Sequence, residues 1–278
     1  MNFVKLQGTG NDFVLIDARA KKQNWSMLAK AICHRHFGVG ADGLLLLLPS
    51  EKADFCLRMF NPDGSEAEAC GNGLRCFTRY LVESGLTSSE NLKVETMAGI
   101  KKVWPWDEKG ICVTMGVPRF SSTEIPIVVD GRDAADNTPL LDYPVTISGR
   151  EVRLSCLSIG NPHAVCYLDE LVDDFPLTEF GPKVEHHPAF PNRVNFEVVN
   201  IISRTEIKAR VWERGAGETL SCGSGACAIA VASRLKGIIN NTVDIILPGG
   251  TLTVDWDGAG DILLSGHAEV VFKGEWLE

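Results

Sequence analysis

The segment Phe60–Gly73, FNPDGSEAEACGNG, decides the fold of this chain because Trp212–Gly225, WERGAGETLSCGSG, repeats its pattern. An aromatic residue, a polar residue, an acid, Cys, Gly and Gly recur in the same order without a gap, at an offset of 152 residues from Cys70 to Cys222. Two copies of one loop indicate two related halves. If the halves face each other, the two thiols point at one cleft from opposite sides.

The composition is typical of a globular protein that acts in water. Of 278 residues, 45% are apolar and 23% are charged, which is the usual balance for such proteins. The net charge of −9 argues against a nucleic-acid partner. No apolar run reaches the roughly 18 residues of a membrane span, and the start lacks the pattern of a secretion signal. We therefore expect a cytoplasmic protein whose nine cysteines are reduced.

Short runs with period-two alternation predict a chain rich in half-buried strands. Phe55–Met59 and Ile207–Trp212 show this period most clearly. Helical spacing is found in Trp25–Phe37, and helices are also expected directly after the two repeated loops, in Leu74–Ser84 and Ala226–Leu235. The last of these segments is apolar on every side, which predicts a buried helix inside a curved sheet.

The duplication extends beyond the two loops. Gly10–Asp17 and Gly160–Asp169 each contain a Gly-Asn turn, a strand-like run and an Asp. We therefore expect an N-terminal lobe of residues 1–118 and a C-terminal lobe of residues 119–265. A last strand within residues 266–278 is expected to return to the first lobe.

The repeated loops have the composition of an acid-binding and proton-transferring site. In each, Cys-Gly-x-Gly stands immediately before a predicted helix, where backbone N–H groups lack internal partners and carry positive partial charge. A carboxylate could be held there, and the same dipoles would favour the thiolate form of Cys70 and Cys222. For one copy alone, a tight turn with a buried cysteine would be the simpler interpretation, but two matched copies favour function.

Other motifs allow different interpretations. Gly223–Ala228 fits the G-x-G-x-x-A pattern of dinucleotide sites, yet no predicted strand abuts it. Two closely spaced histidine pairs lack the accompanying ligands of a metal site, so no metal is expected. A Cys/His hydrolase that uses His163 is conceivable, but it would leave the second thiol unexplained.

Seven motifs together carry a family resemblance. They are Gly8–Phe13, Gly38–Gly43, Phe60–Ser65, Ala69–Gly73, Gly160–His163, Glu213–Thr219 and Cys222–Gly225. With them the chain closely resembles the diaminopimelate epimerases, pyridoxal-independent enzymes of lysine and peptidoglycan precursor biosynthesis. The resemblance covers essentially the full length. It implies an α+β fold of two pseudo-symmetric lobes, each a curved, mainly antiparallel sheet wrapped round a central helix, with the active site between the lobes.

The resemblance also implies roles for individual residues. Cys70 and Cys222 match the catalytic positions, and His163 and Glu213 match positions that tune the two thiols. The substrate-binding positions are Asn11, Asn61, Gly71, Asn72, Asn161, Asn195, Glu213, Arg214, Gly223 and Ser224. The substrate would be the small molecule diaminopimelate, no cofactor would be needed, and a homodimer is usual in this family.

The resemblance predicts an isomerase that works by two-base proton transfer. One cysteine, as thiolate, would take the α-proton of LL- or meso-diaminopimelate while the other, as thiol, protonates the opposite face. A cofactor-independent racemase of glutamate, proline or hydroxyproline is the enzymatic alternative. A thiol redox sensor or an amino-acid-binding module is the non-enzymatic one.

Overall fold

The computed structural model describes residues 1–67, 70–107, 110–129 and 136–277, so Glu68 and Ala69 of the first repeated loop lie outside the described residues. The chain folds as two compact units. Unit 1 comprises Met1–Thr114 and Ser265–Glu278, and unit 2 comprises Met115–Leu264. No helix among the described residues is long and apolar enough to cross a membrane.

Nine strands lie in unit 1 among the described residues, and one of them lies near the C-terminal end of the sequence. These strands are β1 (Asn2–Gly8), β2 (Asn11–Asp17), β3 (Gly43–Leu48), β4 (Phe55–Phe60), β5 (Glu66–Ala67), β6 (Leu92–Thr96), β7 (Gly99–Asp107), β8 (Gly110–Gly116) and β18 (Glu269–Glu275). They pair in the order β18-β1-β2-β3-β4-β6-β7-β8, with β5 also on β4. Only the β2–β3 and β4–β6 pairs in this order are parallel.

Unit 2 repeats this topology. Its strands are β9 (Leu140–Ile147), β10 (Arg150–Ser158), β11 (Pro162–Tyr167), β12 (Asn195–Ile201), β13 (Glu206–Glu213), β14 (Gly217–Thr219), β15 (Thr242–Leu247), β16 (Gly250–Asp255) and β17 (Ile262–Gly266), whose end passes into unit 1. The order β9-β10-β11-β12-β13-β15-β16 has its two parallel pairs, β11–β12 and β13–β15, at the corresponding places. The mainly antiparallel, duplicated architecture confirms the predicted fold class.

One central helix in each unit begins directly after the repeated loop. Helix α2 (Gly71–Glu83) contacts strands across its sheet from β18 to β7, and α4 (Gly223–Leu235) contacts β10, β11, β12, β15 and β16. In α4 every described position from Gly225 to Ser233 is buried. The all-round apolar sequence of this helix is therefore explained, as predicted, by its position against the sheet.

A second helix in each unit covers another part of the core. Helix α1 (Trp25–Ile32) is shorter than the predicted helix Trp25–Phe37, and Asn24 caps it by accepting a hydrogen bond from the Met27 amide. The chain turns sharply at Gly38, where a Cβ would lie 2.2 Å from the Ala31 carbonyl oxygen. Helix α3 (Leu177–Glu185) occupies the corresponding place in unit 2 and packs into a cluster of buried residues with β11 and β12.

Gly181→Ala is expected to destabilise unit 2 more than any other single methyl group added to α3. A Cβ at Gly181 would lie 2.3 Å from Cδ2 of the Trp212 ring, and Trp212 is held in place because its Nε1 donates to Glu185. Overpacking of this kind costs about 1–3 kcal/mol, measurable as a lower urea midpoint with an unchanged slope. Thr178→Ala, at an exposed position of the same helix, is the control. Equal midpoints for the two variants would contradict the expectation.

Candidate active site

The first thiol lies at the start of α2. Cys70 has extended backbone angles and is the N-cap residue, and its Sγ accepts a hydrogen bond from the Gly73 amide at 3.5 Å. The side chain is half-buried. The loop before it is held by Ser26, whose hydroxyl donates to the Gly64 carbonyl at 2.7 Å. A cysteine therefore takes the place of the Ser, Thr or Asp that usually satisfies the first amides of a helix.

Asn11 connects this thiol to a group of charged side chains. Its Oδ1 accepts from Cys70 Sγ at 3.8 Å and from Asn72 Nδ2 at 3.3 Å. Its Nδ2 donates to Asp42 at 2.7 Å, and Asp42 is in turn paired with Arg35 at 2.6 Å. Asn11 is thus oriented by its neighbours, and its position depends on a carboxylate that the sequence did not single out.

Asn61 is the remaining candidate of unit 1. Its amide nitrogen donates to the Ser65 hydroxyl at 2.9 Å, and its backbone N–H donates to the Ser65 carbonyl. The side chain therefore closes the turn that precedes Cys70. By the internal repeat, Asn61 corresponds to Glu213.

The second thiol repeats the geometry of the first. Cys222 is the N-cap residue of α4, and its Sγ accepts from the Gly225 amide at 3.4 Å. The Ser224 hydroxyl lies 3.5 Å from the same sulfur. Cys222 is only 5% exposed, which makes it more buried than Cys70.

A buried histidine and a buried glutamate lie next to this loop. His163 Nδ1 is 2.7 Å from Glu197 Oε1, and His163 Nε2 is 2.9 Å from Asn161 Oδ1. Asn161 Nδ2 donates to the Ser224 hydroxyl at 3.3 Å. His163 and Glu197 have no exposed surface. The structure therefore brings His163, Asn161 and Ser224 together and adds Glu197, which the sequence analysis missed.

Burial raises the pKa of the Cys222 thiol well above its ordinary value, and the negative charge of Glu213 raises it further. Hydrogen bonds from Ser224 and from the Gly225 amide act in the opposite direction but do not outweigh burial. The Gly225 amide at the helix terminus therefore acts in the direction that the sequence analysis expected, but burial has the larger effect on the pKa of Cys222. The Glu213 carboxylate is fixed by the Thr219 hydroxyl, which donates to it at 2.6 Å.

Glu213→Gln is expected to lower the pKa of Cys222, because it removes a negative charge and keeps an oxygen for Thr219. A lower pKa gives more thiolate at neutral pH, and thiolate is the form that iodoacetamide attacks. Alkylation of Cys222 should therefore be faster in the variant, by up to about tenfold for each pKa unit. Mass spectrometry of the peptide with Cys222 measures this rate, and Cys70 is an internal control. An unchanged rate would mean that Glu213 does not control this thiol.

Asn195 and Arg214 lie together at the end of β13. Asn195 is buried, donates to the Pro162 carbonyl at 2.9 Å and accepts from the Arg214 amide at 2.8 Å. The exposed Arg214 side chain donates to the Asn192 carbonyl at 3.0 Å through one guanidinium nitrogen. Asn195 therefore fixes the backbone that carries Arg214, and that guanidinium has further donors for an anion.

Within the described residues, no group of three or more His, Cys, Asp or Glu side chains has the arrangement of a metal site. The polar groups around each thiol instead form hydrogen bonds with one another.

Solved structures of two enzyme groups share the fold. A PhzF-family phenazine biosynthesis protein of Bacillus anthracis matches with a TM-score of 0.72 at 20% identity, over 100% of this chain and 99% of that one. A hydroxyproline epimerase of Agrobacterium vitis, with bound trans-4-hydroxy-L-proline, matches with a TM-score of 0.69 at 17% identity, over 99% and 90%. The chain thus shares its fold with a PhzF-family protein and a hydroxyproline epimerase.

Sequence similarity is more specific. The family model described as diaminopimelate epimerase matches residues 3–121 and 155–271. The diaminopimelate epimerases of Moorella thermoacetica and Acetivibrio thermocellus are 47% and 46% identical to the chain, over 99% of its length and 99% and 98% of theirs. The chain therefore belongs to the diaminopimelate epimerase family, a family of isomerases, which confirms the resemblance in the seven motifs.

Proposed function

We propose that the protein interconverts LL- and meso-diaminopimelate by two-base proton transfer between Cys70, the substrate α-carbon and Cys222. The observation that carries this proposal is the matched placement of the two thiols. Each is the N-cap of a central helix and accepts a hydrogen bond from the third amide of that helix. Family membership supports the substrate, and the duplicated site supports the mechanism.

Each helix N-terminus offers the substrate carboxylate a place to bind. The amides of Gly71, Asn72, Gly223 and Ser224 belong to the first turns of α2 and α4, where backbone N–H groups have no partner within the helix and attract anions. The same donors stabilise the enolate-like charge that develops when the α-proton leaves. Substrate binding and carbanion stabilisation are thus provided by one structural feature.

The proton balance is simple. A thiolate on one face takes the α-proton and becomes a thiol, and the thiol on the other face gives its proton to the carbanion and becomes a thiolate. No redox step is needed, and the roles of the two sulfurs reverse in the opposite direction. Because burial raises the pKa of Cys222 and so favours its thiol form, we assign Cys222 as the acid in the direction in which Cys70 is the base.

The polar residues of the two units have distinct parts in this proposal. Asn11 and Asn161 orient the side chains beside the thiols. His163 and Glu213 adjust the pKa values of the two thiols. The remaining substrate contacts, mostly with the distal amino-acid end, are Asn61, Glu213 and Arg214, with Asn195 as the support of Arg214.

The proposal also includes a cytoplasmic homodimer that needs no cofactor and acts in lysine and peptidoglycan precursor biosynthesis.

Incubation in deuterated water tests the function. With LL-diaminopimelate we expect the meso isomer to appear and deuterium to enter the α-carbon, as measured by mass spectrometry and proton NMR. L-glutamate, L-proline and trans-4-hydroxy-L-proline are the comparison substrates. Exchange with one of these but not with diaminopimelate would make the protein a racemase of another amino acid. Exchange with none would favour a redox or binding role.

A further inference from the structure

A buried carboxyl group lies beneath the second thiol loop at a place where unit 1 has a leucine. If Gly225 carried a Cβ, that atom would lie 3.1 Å from Glu197 Oε1 and 3.4 Å from Cys222 Sγ. A Cβ at Gly73, the corresponding glycine, would instead lie 3.3 Å from Leu45 Cδ2. Glu197 and Leu45 thus occupy matching positions beneath the two helix termini.

The partner of Glu197 also differs between the units. His163 pairs with Asn195 in the parallel β11–β12 ladder, and Phe13 pairs with Gly43 in the corresponding β2–β3 ladder. Unit 2 therefore has a buried histidine and glutamate where unit 1 folds with phenylalanine and leucine. Because replacing a buried polar pair by apolar residues of similar volume is often neutral or stabilising, stability of the fold does not explain the pair.

A continuous series of hydrogen bonds joins this pair to the thiol. It runs from Glu197 Oε1 to His163 Nδ1 at 2.7 Å and from His163 Nε2 to Asn161 Oδ1 at 2.9 Å. It continues from Asn161 Nδ2 to Ser224 Oγ at 3.3 Å and from Ser224 Oγ to Cys222 Sγ at 3.5 Å. Each member orients the next, so the hydrogen position at Glu197 affects the orientation of Ser224.

The acceptor atoms in this series determine which of its other atoms carry hydrogens. Asn161 Oδ1 can only accept, so His163 Nε2 carries a hydrogen. The contact between His163 Nδ1 and Glu197 then needs one more proton, on either the ring or the carboxyl group. Glu197 Oε2 has no hydrogen-bond partner within the described part of the chain, and a buried carboxylate with an unsatisfied oxygen is costly.

Burial favours the neutral carboxyl form of Glu197. It is the largest influence and raises the pKa of Glu197, whereas His163 and then the Ala164 backbone amide lower this pKa and the charge of Glu213 raises it. Glu213 also makes the largest charge contribution to the raised pKa of Cys222. A second full negative charge beside Cys222 and Glu213 would be unfavourable, whereas a carboxyl O–H that donates to Nδ1 is satisfied.

We propose that Glu197 is a protonated positioning residue that holds His163 as its neutral Nε2–H tautomer and thereby orients Asn161 and Ser224 toward the Cys222 thiol. This inference deepens the proposed function, because it rests on a catalytic role for Cys222. Glu197 itself does not touch the reacting atoms. What it supplies is a hydrogen-bond donor at Nδ1 rather than a charge.

Two substitutions test whether Glu197 acts as a hydrogen-bond donor or through a negative charge. Glu197→Gln keeps a donor for Nδ1, because its amide N–H can replace the carboxyl O–H. Glu197→Leu has the side chain that unit 1 uses at Leu45 and removes the donor. We expect the Gln variant to retain a kcat close to that of the parent protein. The Leu variant should lose about 10- to 100-fold in kcat, as for a buried hydrogen-bonding group left unsatisfied, with little change in KM.

The tautomer is measured separately from turnover. In protein with ¹⁵N-labelled histidine, with the His163 signals assigned from a His163→Asn variant, we expect the neutral Nε2–H pattern across neutral pH. The Glu197→Gln variant should keep this pattern and Glu197→Leu should lose it. Because this measurement needs no substrate, it distinguishes failure of the inference from failure of the proposed function, which would appear as absent α-deuterium exchange in the parent protein.

Each outcome decides the inference. A Gln variant as impaired as the Leu variant would show that the carboxylate charge matters and would overturn the proton assignment. A fully active Leu variant would overturn the positioning role. If Glu197→Leu fails to fold, as seen by its thermal unfolding midpoint, the kcat of Glu197→Gln and the tautomer of the parent protein still test the assignment.

Discussion

Replacing either Cys70 or Cys222 with alanine is expected to abolish epimerisation while leaving one half of the exchange chemistry. General acid–base groups contribute about 10²- to 10⁴-fold each, so we expect kcat to fall about 1000-fold or more. The remaining thiol still faces one side of the α-carbon in the proposed mechanism. It can therefore remove and return a proton on that side, which exchanges deuterium into one stereoisomer without inverting it.

The measurement is a pair of assays on each variant, one for inversion and one for α-deuterium incorporation from LL- and meso-diaminopimelate. Cys227→Ala is the matched control, because Cys227 is a fully buried residue of α4 that lies beyond its first turn. This control should keep the inversion rate. Full inversion by Cys70→Ala or Cys222→Ala would refute the paired-thiol mechanism, and loss of inversion in the control would mean that the helix tolerates no change.

The repeat in the sequence predicted the fold because it consists of residues that determine local structure. Cys-Gly-x-Gly before a helix and alternating runs such as Ile207–Trp212 specify a cap and a strand without reference to distant residues. Helix α3 was not predicted, because Gly181 and Pro182 lie inside it and argue against a helix locally. The Trp212 ring packed against Gly181 supplies the tertiary contact that overrides this preference.

Candidate site residues could be predicted from the sequence where they belong to a repeated motif. A residue that reaches the site only through the pairing of distant strands was missed. Asn161 is the Asn of a Gly-Asn turn that repeats earlier in the chain and His163 follows that turn, whereas Glu197 is one acid within an apolar strand. Only the pairing of β11 with β12 brings Glu197 beside His163. A charged residue inside an otherwise apolar strand was the available signal, since such residues are seldom fully buried without a partner.

Arg214→Met is expected to raise the KM for diaminopimelate strongly, and Arg214→Lys to raise it less. The guanidinium uses one nitrogen for the Asn192 carbonyl, and a planar fork with further donors is suited to bind a carboxylate in a bidentate manner. Truncating one partner of a desolvated charge pair costs about 2–5 kcal/mol, which predicts a loss of roughly 30- to 5000-fold in kcat/KM. Lysine restores the charge but not the fork.

Steady-state kinetics with LL-diaminopimelate separate this binding role from chemistry. Arg214 would hold the distal amino-acid end, so most of the loss should appear in KM and the α-exchange at saturating substrate should persist. Arg153→Met is the control, because within the described part of the chain the Arg153 side chain forms only an exposed pair with Glu151, and such pairs contribute little. A large fall in kcat with an unchanged KM would instead place Arg214 next to the reacting carbon. An Arg214→Met variant with parental kinetics would remove it from the site, and the distal end would then have to be recognised by Asn61 and Glu213.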